Sequence, residues 1–131
     1  MSKNSYKEKI INKAIKYHLE GSILEATKYY KYCINQDFND ERVFSNYGAI
    51  LQNLGKLKEA KVFYLKAIEL NPRLANAHSN LGNILRILGE LKEAELSTRK
   101  AIKLNPNFAE ANNNLGIILR ELGKLEEAEI S

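Results

Sequence analysis

Residues 41–74 read ERVFSNYGAILQNLGKLKEAKVFYLKAIELNPRL, and residues 75–108 read ANAHSNLGNILRILGELKEAELSTRKAIKLNPNF. The two stretches agree at 17 of 34 positions, and 75–97 agrees with 109–131 at 15 of 23. Ser45-Asn46 returns as Ser79-Asn80, and Asn71-Pro72 returns as Asn105-Pro106. Leu57-Lys58-Glu59-Ala60 returns as Leu91-Lys92-Glu93-Ala94 and then as Leu125-Glu126-Glu127-Ala128. A fixed period of this length is the mark of a repeat architecture. The register extends backward over 7–40 in weaker form, through Ile10, Ala14, Tyr17, Gly21, Ala26, Tyr30 and Cys33. The chain therefore divides into an extension (1–6), a degenerate first repeat (7–40), two full repeats (41–74 and 75–108) and a truncated fourth (109–131).

Each repeat reads as two helices. Phe44, Tyr47, Leu51 and Leu54 follow the three-and-four spacing of one helix face, so the first helix runs from about Glu41 to Leu54. Gly55 ends it, because glycine takes the left-handed conformation of a helix terminus without a side-chain clash. Gly89 and Gly123 are expected to do the same. A second helix runs from about Leu57 to Leu70, with Ala60, Tyr64, Ala67 and Ile68 facing inward. Asn71-Pro72 stops it, since proline lacks the N–H and turns its predecessor away from the helix. Gly48, Gly82 and Gly116 stand in the first helices, where glycine costs about 1 kcal/mol against alanine. Each is expected to face the alanine of the second helix (Ala60, Ala94, Ala128), so that close packing offsets that cost.

Composition excludes several classes. Hydrophobic residues make up 44% and charged residues 27% of the 131, close to an ordinary globular chain. No apolar run approaches the roughly 18 residues of a membrane helix, and Met1 to Lys9 is polar, unlike a secretory signal. The expected compartment is the cytoplasm. A lone cysteine, Cys33, excludes an internal disulfide framework and a cysteine-built zinc site. Cys33 takes a small-residue packing position, and His18 and His78 read as rim and packing residues; no metal or cofactor is implied. The net charge of +4 is interleaved rather than gathered in a basic stripe, which argues against nucleic acid. In Lys28-Tyr29-Tyr30-Lys31-Tyr32 the helical spacing makes Tyr29 and Tyr30 core residues and Tyr32 a rim residue. No phosphate loop and no nucleophile–base–orienter set can be assembled, so the chain does not read as an enzyme.

Taken in order, Phe44, Tyr47-Gly48, Leu51, Gly55, Ala60, Tyr64, Ala67 and Pro72 resemble the tetratricopeptide repeat. So do His78, Leu81-Gly82, Leu85, Gly89, Ala94, Thr98, Ala101 and Pro106. The departures are Lys13-Ala14 and Phe38 in the first repeat, His78 and Thr98 in the third, and Asn112 in the fourth. The resemblance covers 7–131. It implies an all-α fold, a right-handed α-solenoid of three full units and a partial fourth. It also implies a concave groove lined by the first helices, where protein or extended peptide is the expected partner. The implied groove residues are Arg42, Ser45, Asn46, Ala49 and Gln52; then Asn76, Ser79, Asn80, Asn83 and Arg86; then Glu110, Asn113, Asn114, Ile117 and Arg120.

Asn46, Asn80 and Asn114 form a column at one repeat position. A carboxamide donates and accepts, so a ladder of them can pair with the N–H and C=O of an extended peptide. In style the chain is similar to the repeats of O-linked N-acetylglucosamine transferases and related bacterial arrays, where such a ladder holds polypeptide. Asparagine supplies 15 of the 131 residues, so Asn112-Asn113-Asn114 is also open to a compositional reading. The two-carboxylate clamp of chaperone-tail adaptors fits poorly: its basic positions hold Ile11, Asn76 and Asn80, its first asparagine position holds Ile15, and only Asn46 matches. Arg86 and Arg120 remain as isolated cations able to hold carboxylate or phosphate. The expected function is a non-catalytic scaffold binding an extended segment. Two alternatives stand beside it: the substrate-recruiting part of a larger glycosyl-, sulfo- or methyltransferase, and self-association through the last repeat. In the fourth repeat the second helix is expected to be a stub, Ile118, Leu122 and Leu125 to be partly exposed, and the pattern to continue past Ser131.

Overall fold

The computed structural model describes residues 2–130; Met1 and Ser131, at the outer ends of the extension and the fourth repeat, lie outside the described residues. Among these there are seven helices and no strand: α1 (Lys3–Leu19), α2 (Ile23–Asn35), α3 (Glu41–Asn53), α4 (Leu57–Leu70), α5 (Ala75–Ile87), α6 (Leu91–Leu104) and α7 (Ala109–Ile130). They pack as two bodies, Met1–Leu70 and Asn71–Ser131.

In the first body α1 pairs with α2, α3 pairs with α4, and α2 joins the pairs by packing on α3. The Asp40 carboxylate caps α3 by accepting from the Arg42 N–H at 2.9 Å, which satisfies one of the unpaired donors of a helix start. The turn after α3 closes as a Schellman motif: the Gly55 N–H donates to the Gln52 carbonyl at 3.0 Å and the Lys56 N–H to the Leu51 carbonyl at 2.9 Å. Gly55 pays no steric penalty for its φ of +79° there. The same pair of bonds follows α1 and α5. Leu54, expected in the core, is 62% exposed. It is the C-cap of α3, beyond the last residue of the buried face. Ile11, Ala14, Ala26, Tyr30, Cys33, Val43, Ala60, Tyr64 and Ala67 form the core. Phe63 extends it by meeting Phe44 at 6.1 Å and Tyr47 at 5.0 Å, ring centre to ring centre.

In the second body α6 lies between α5 and α7 and packs on both. Here the chain departs from the expected pattern. Gly123 makes no turn; α7 runs through it as one helix of 22 residues, where the others among α2–α6 span 13 or 14. The expected short second helix is therefore the last part of α7. Gly116 consequently has no helix over it, and Ala128 is exposed. Gly48 and Gly82 do sit under second helices, but the neighbours differ from the expected alanine side chains. A Cβ on Gly48 would touch the Tyr64 ring at 3.4 Å. One on Gly82 would meet Thr98 and the Ala94 carbonyl. Of the three apolar residues expected to be exposed, Leu125 is exposed and Leu122 half-buried, whereas Ile118 is fully buried, because α7 keeps its packing on α6 up to that point.

Two sequence departures resolve as hydrogen bonds. The His78 Nε2–H donates to the Pro72 carbonyl at 2.9 Å. Asn112, 34 residues on, donates Nδ2–H to the Pro106 carbonyl at 3.2 Å. A side-chain donor thus replaces the large apolar residue and ties each helix to the proline turn before it.

Candidate functional site

Ser79, Asn83 and Arg86 fall on one face of α5 through spacings of four and three, which brings them to one side of a helix. Glu110, Asn113, Asn114 and Ile117 do the same on α7. The two faces meet at a cleft of about 210 Å³ lined by these seven residues. Ser79, Asn83, Arg86, Asn113 and Asn114 were expected at a binding face, as were Glu110 and Ile117.

Arg86 organises the cleft. Its Nε–H donates to Asn114 Oδ1 at 3.0 Å, and an Nη2–H donates to Asn83 Oδ1 at 2.8 Å. Its Nη1 lies 3.7 Å from Glu121 Oε1. The cation is thus held by two carboxamide oxygens and compensated by a carboxylate, with Glu110 adding a second acidic group to the cleft wall. Glu121 was not foreseen. Its signal is a charge on the turn of α7 beyond Asn114, on the side that Arg86 can reach.

Asn114 is only 7% exposed, and its Nδ2 has no hydrogen-bond partner. A buried donor without an acceptor costs on the order of 1–3 kcal/mol. The cause lies sixteen residues earlier. At the same spacing in the first body, the Tyr30 hydroxyl is hydrogen-bonded by the Asn46 side chain. Thr98 holds the position of Tyr30 relative to Asn114. Its shorter side chain leaves both Thr98 Oγ1 and Asn114 Nδ2 unpartnered.

The other expected residues have varied surroundings. Asn46 is committed in part to Tyr30, whose hydroxyl also lies 3.1 Å from His18 Nδ1. Burial pushes that hydroxyl up to about 12, against the lowering effect of the Asn46 hydrogen bond. Gln52 accepts from the Tyr64 hydroxyl at 2.9 Å. Arg42 is taken up by carboxylates: Nε and Nη2 donate to Asp40 at 2.9 Å each, and Nη2 donates to Glu8 at 2.7 Å. Burial works to raise the Asp40 carboxyl, but the Arg42 bonds hold it below its ordinary value. Glu8 precedes Arg42 by one full repeat, so this pair was legible from the period alone. Ser45 and Asn80 are half-buried, Asn76 and Arg120 exposed; none of these four lines the α5–α7 cleft.

A larger hollow of about 530 Å³ lies between α1 and α2, with Tyr6, Tyr29 and Tyr32 in its wall. Its Tyr6 and Tyr32 hydroxyls bond each other at 2.6 Å, so these polar groups are satisfied. Tyr29, expected in the core, is half-buried, stacked on Tyr17 at 5.6 Å, with Lys13 Nζ 5.2 Å from its ring centre. Cys33 is fully buried, and burial pushes its thiol up to about 11, so it stays protonated. No helix among the described residues is long and apolar enough to cross a membrane. No cluster of three or more metal-ligating side chains is found among them.

Three models of the tetratricopeptide repeat match, over 48–86, 75–108 and 98–130. The chain belongs to the tetratricopeptide repeat family, and its helix–turn–helix units give it the all-α solenoid fold class of that family. Among solved structures it is similar to the first such domain of Spaghetti (RPAP3) bound to an HSP90 peptide. That match has 26% identity and a TM-score of 0.80, over 89% of this chain and 93% of that one. It shares its fold with the Yersinia enterocolitica secretion chaperone SycD in complex with a YopD peptide, at 22% identity, TM-score 0.78, over 92% and 96%. It also shares its fold with a mutant of the Thermobaculum terrenum O-GlcNAc transferase, at 20% identity and TM-score 0.78, over 91% of this chain and 23% of that one. No curated protein matches the sequence.

Proposed function

We propose that this chain is a non-catalytic protein-interaction module, and that the α5–α7 cleft holds an extended peptide segment by its backbone. The observation that carries the reading is the set of three carboxamides, Asn83, Asn113 and Asn114, that lines one cleft. Arg86 fixes the oxygens of Asn83 and Asn114, so the orientation of both is set. The exposed Asn113 carboxamide beside them can donate to and accept from a peptide backbone without adding charge. Likeness to the peptide-bound Spaghetti domain supports a peptide ligand.

The cleft's charges favour a neutral or basic segment. Arg86 faces Glu121 and shares the wall with Glu110, so an acidic group entering there meets two carboxylates and one cation already paired. The chaperone-tail clamp positions agree: they hold Ile11, Ile15, Asn76 and Asn80, and Ile11 is fully buried. Asn80 and Asn114 hold one repeat position in the second body and form its part of the proposed ladder, with Asn76 and Arg120 as secondary contacts. Asn46 holds the corresponding position in the first body, next to Ser45, and there its side chain serves Tyr30.

The test is selection of peptides from a random display library on the immobilised chain. Backbone recognition predicts enriched peptides with little shared side-chain identity and few acidic residues. Asn114→Ala then weakens them about tenfold, the equivalent of 1.4 kcal/mol. Enrichment of one strict acidic motif, or equal binding by the variant, would contradict the reading.

A further inference from the structure

The first repeat leaves open a place that the second repeat fills. In the second, Phe44 and Phe63 stack at 6.1 Å, and Lys66 Nζ lies 5.6 and 5.3 Å from their ring centres. One repeat earlier these positions hold Ile10, Tyr29 and Tyr32. Ile10 is smaller than Phe44, and the Tyr32 hydroxyl is held by the Tyr6 hydroxyl at 2.6 Å. What remains is the hollow of about 530 Å³ between α1 and α2. It arises from side chains exchanged within one helical hairpin. Tyr6, Ile10, Tyr29 and Tyr32 give it an apolar wall, and the exposed Lys28 and Lys31 complete the lining with no carboxylate beside them. Neither lysine enters an ion pair among the described residues.

The adjoining face of α1 is basic through the same kind of exchange. Where α3 buries Val43, Tyr47 and Ile50, α1 carries Lys9, Lys13 and Lys16, all exposed. Lys13 Nζ stands 5.2 Å from the centre of the Tyr29 ring, at the edge of the hollow. Of the acidic groups, Glu25 alone acts on Lys13. We propose that the hollow is a second docking site, for an acidic protein segment that carries an aromatic side chain. The ring enters between the three tyrosines and Ile10, where apolar burial and edge-to-face contact hold it. The Tyr6 and Tyr32 hydroxyls already satisfy each other, so the entering group needs no polar atom of its own. Carboxylates on either side of the ring meet Lys28 and Lys31. The tyrosines do not form a stacking row for bases: Tyr6 and Tyr32 are both turned edge-to-face on Phe38, and Tyr29 is stacked on Tyr17. The site lies wholly in the first body and selects the charge that the α5–α7 cleft disfavours, so one chain offers two sites of opposite preference.

The chain contains no tryptophan, so a tryptophan peptide reports its own burial. The peptide Glu-Asp-Glu-Trp-Glu-Asp-Glu is titrated with the full chain, with selective excitation of its indole. Its emission is expected to shift to the blue and to saturate at one peptide per chain. Ile10→Phe, which restores the bulk found at Phe44, is expected to abolish the shift with helicity unchanged. The double variant Lys28→Glu, Lys31→Glu is expected to weaken binding about tenfold or more, because opposite charges become like charges. Lys58→Glu, the same change at an exposed lysine of α4, and Asn114→Ala in the cleft are expected to leave the affinity as it is. Absence of a blue shift overturns the proposal. So does equal binding by Ile10→Phe or by the double lysine variant, an equal loss in Lys58→Glu, or a loss in Asn114→Ala. Displacement of the peptide by an equal concentration of oligothymidylate would make the surface a nucleic-acid site and overturn it as well.

Discussion

Thr98 stands where Tyr30 and Tyr64 carry a phenol, and that one difference leaves two polar atoms stranded, its own Oγ1 and Asn114 Nδ2. Replacing the stranded hydroxyl by a methyl of the same shape removes a desolvation cost. Thr98→Val is therefore expected to stabilise the protein by about 1 kcal/mol, seen as a melting temperature roughly 4 °C higher. An unchanged or lower value would mean that the hydroxyl has a partner. The asparagine column was readable from the 34-residue period. Which of its members is free was not, because that depends on the residue sixteen positions earlier: Tyr30 serves Asn46, and Thr98 cannot serve Asn114. Burial also sets a pH dependence at His18, where it holds the imidazole below its ordinary 6.5. The unfolded chain then takes up the proton first as pH falls, so the stability this group contributes is present above about 6.5 and lost below it. The melting temperature is expected to drop between pH 7 and pH 5, and less so in His18→Gln. An equal drop in both would place the titration elsewhere.

Among helices, the same signal has opposite outcomes at Gly55 and Gly123. Gly55 and Gly89 end α3 and α5 at φ of +79° and +84°, whereas Gly123 lies inside α7. Alanine discriminates the two conditions. Gly55→Ala and Gly89→Ala are each expected to cost about 1 kcal/mol or more, the penalty of a side chain in the left-handed region. Gly123→Ala is expected to cost nothing and to raise helicity, since alanine favours helix interiors by about 1 kcal/mol over glycine. Denaturant titration and circular dichroism measure both; a loss of stability in Gly123→Ala would restore the turn. The bounds of α3 and α4 were legible because a cap, an apolar stripe and a glycine agree there. The course of α7 was not, because a glycine permits a turn and only packing beyond it makes the turn worthwhile. Gly82 shows the same limit. Its position marked a close approach, but its neighbours proved to be Thr98 and a backbone carbonyl. Gly82→Ala is expected to destabilise by about 1–3 kcal/mol through overpacking.

For the molecule as a whole, period and punctuation were enough to read the family and the helical fold class. The cleft was legible only in part. Its lining residues follow from the helix faces, but the clasp of Arg86 by Asn83 and Asn114, with Glu121 behind it, depends on side-chain reach across two helices. That clasp makes the proposed function specific: carboxamides held in place beside a compensated cation take a neutral peptide backbone, in a cleft that disfavours acidic groups. The most direct measurement is the side-chain amide resonance of Asn114 in ¹⁵N-labelled protein, followed while a library-selected peptide is titrated in. The account predicts that this resonance shifts to saturation together with the backbone amides of α5 and the first half of α7. A peptide that saturates the protein and leaves the Asn114 amide unmoved would contradict it.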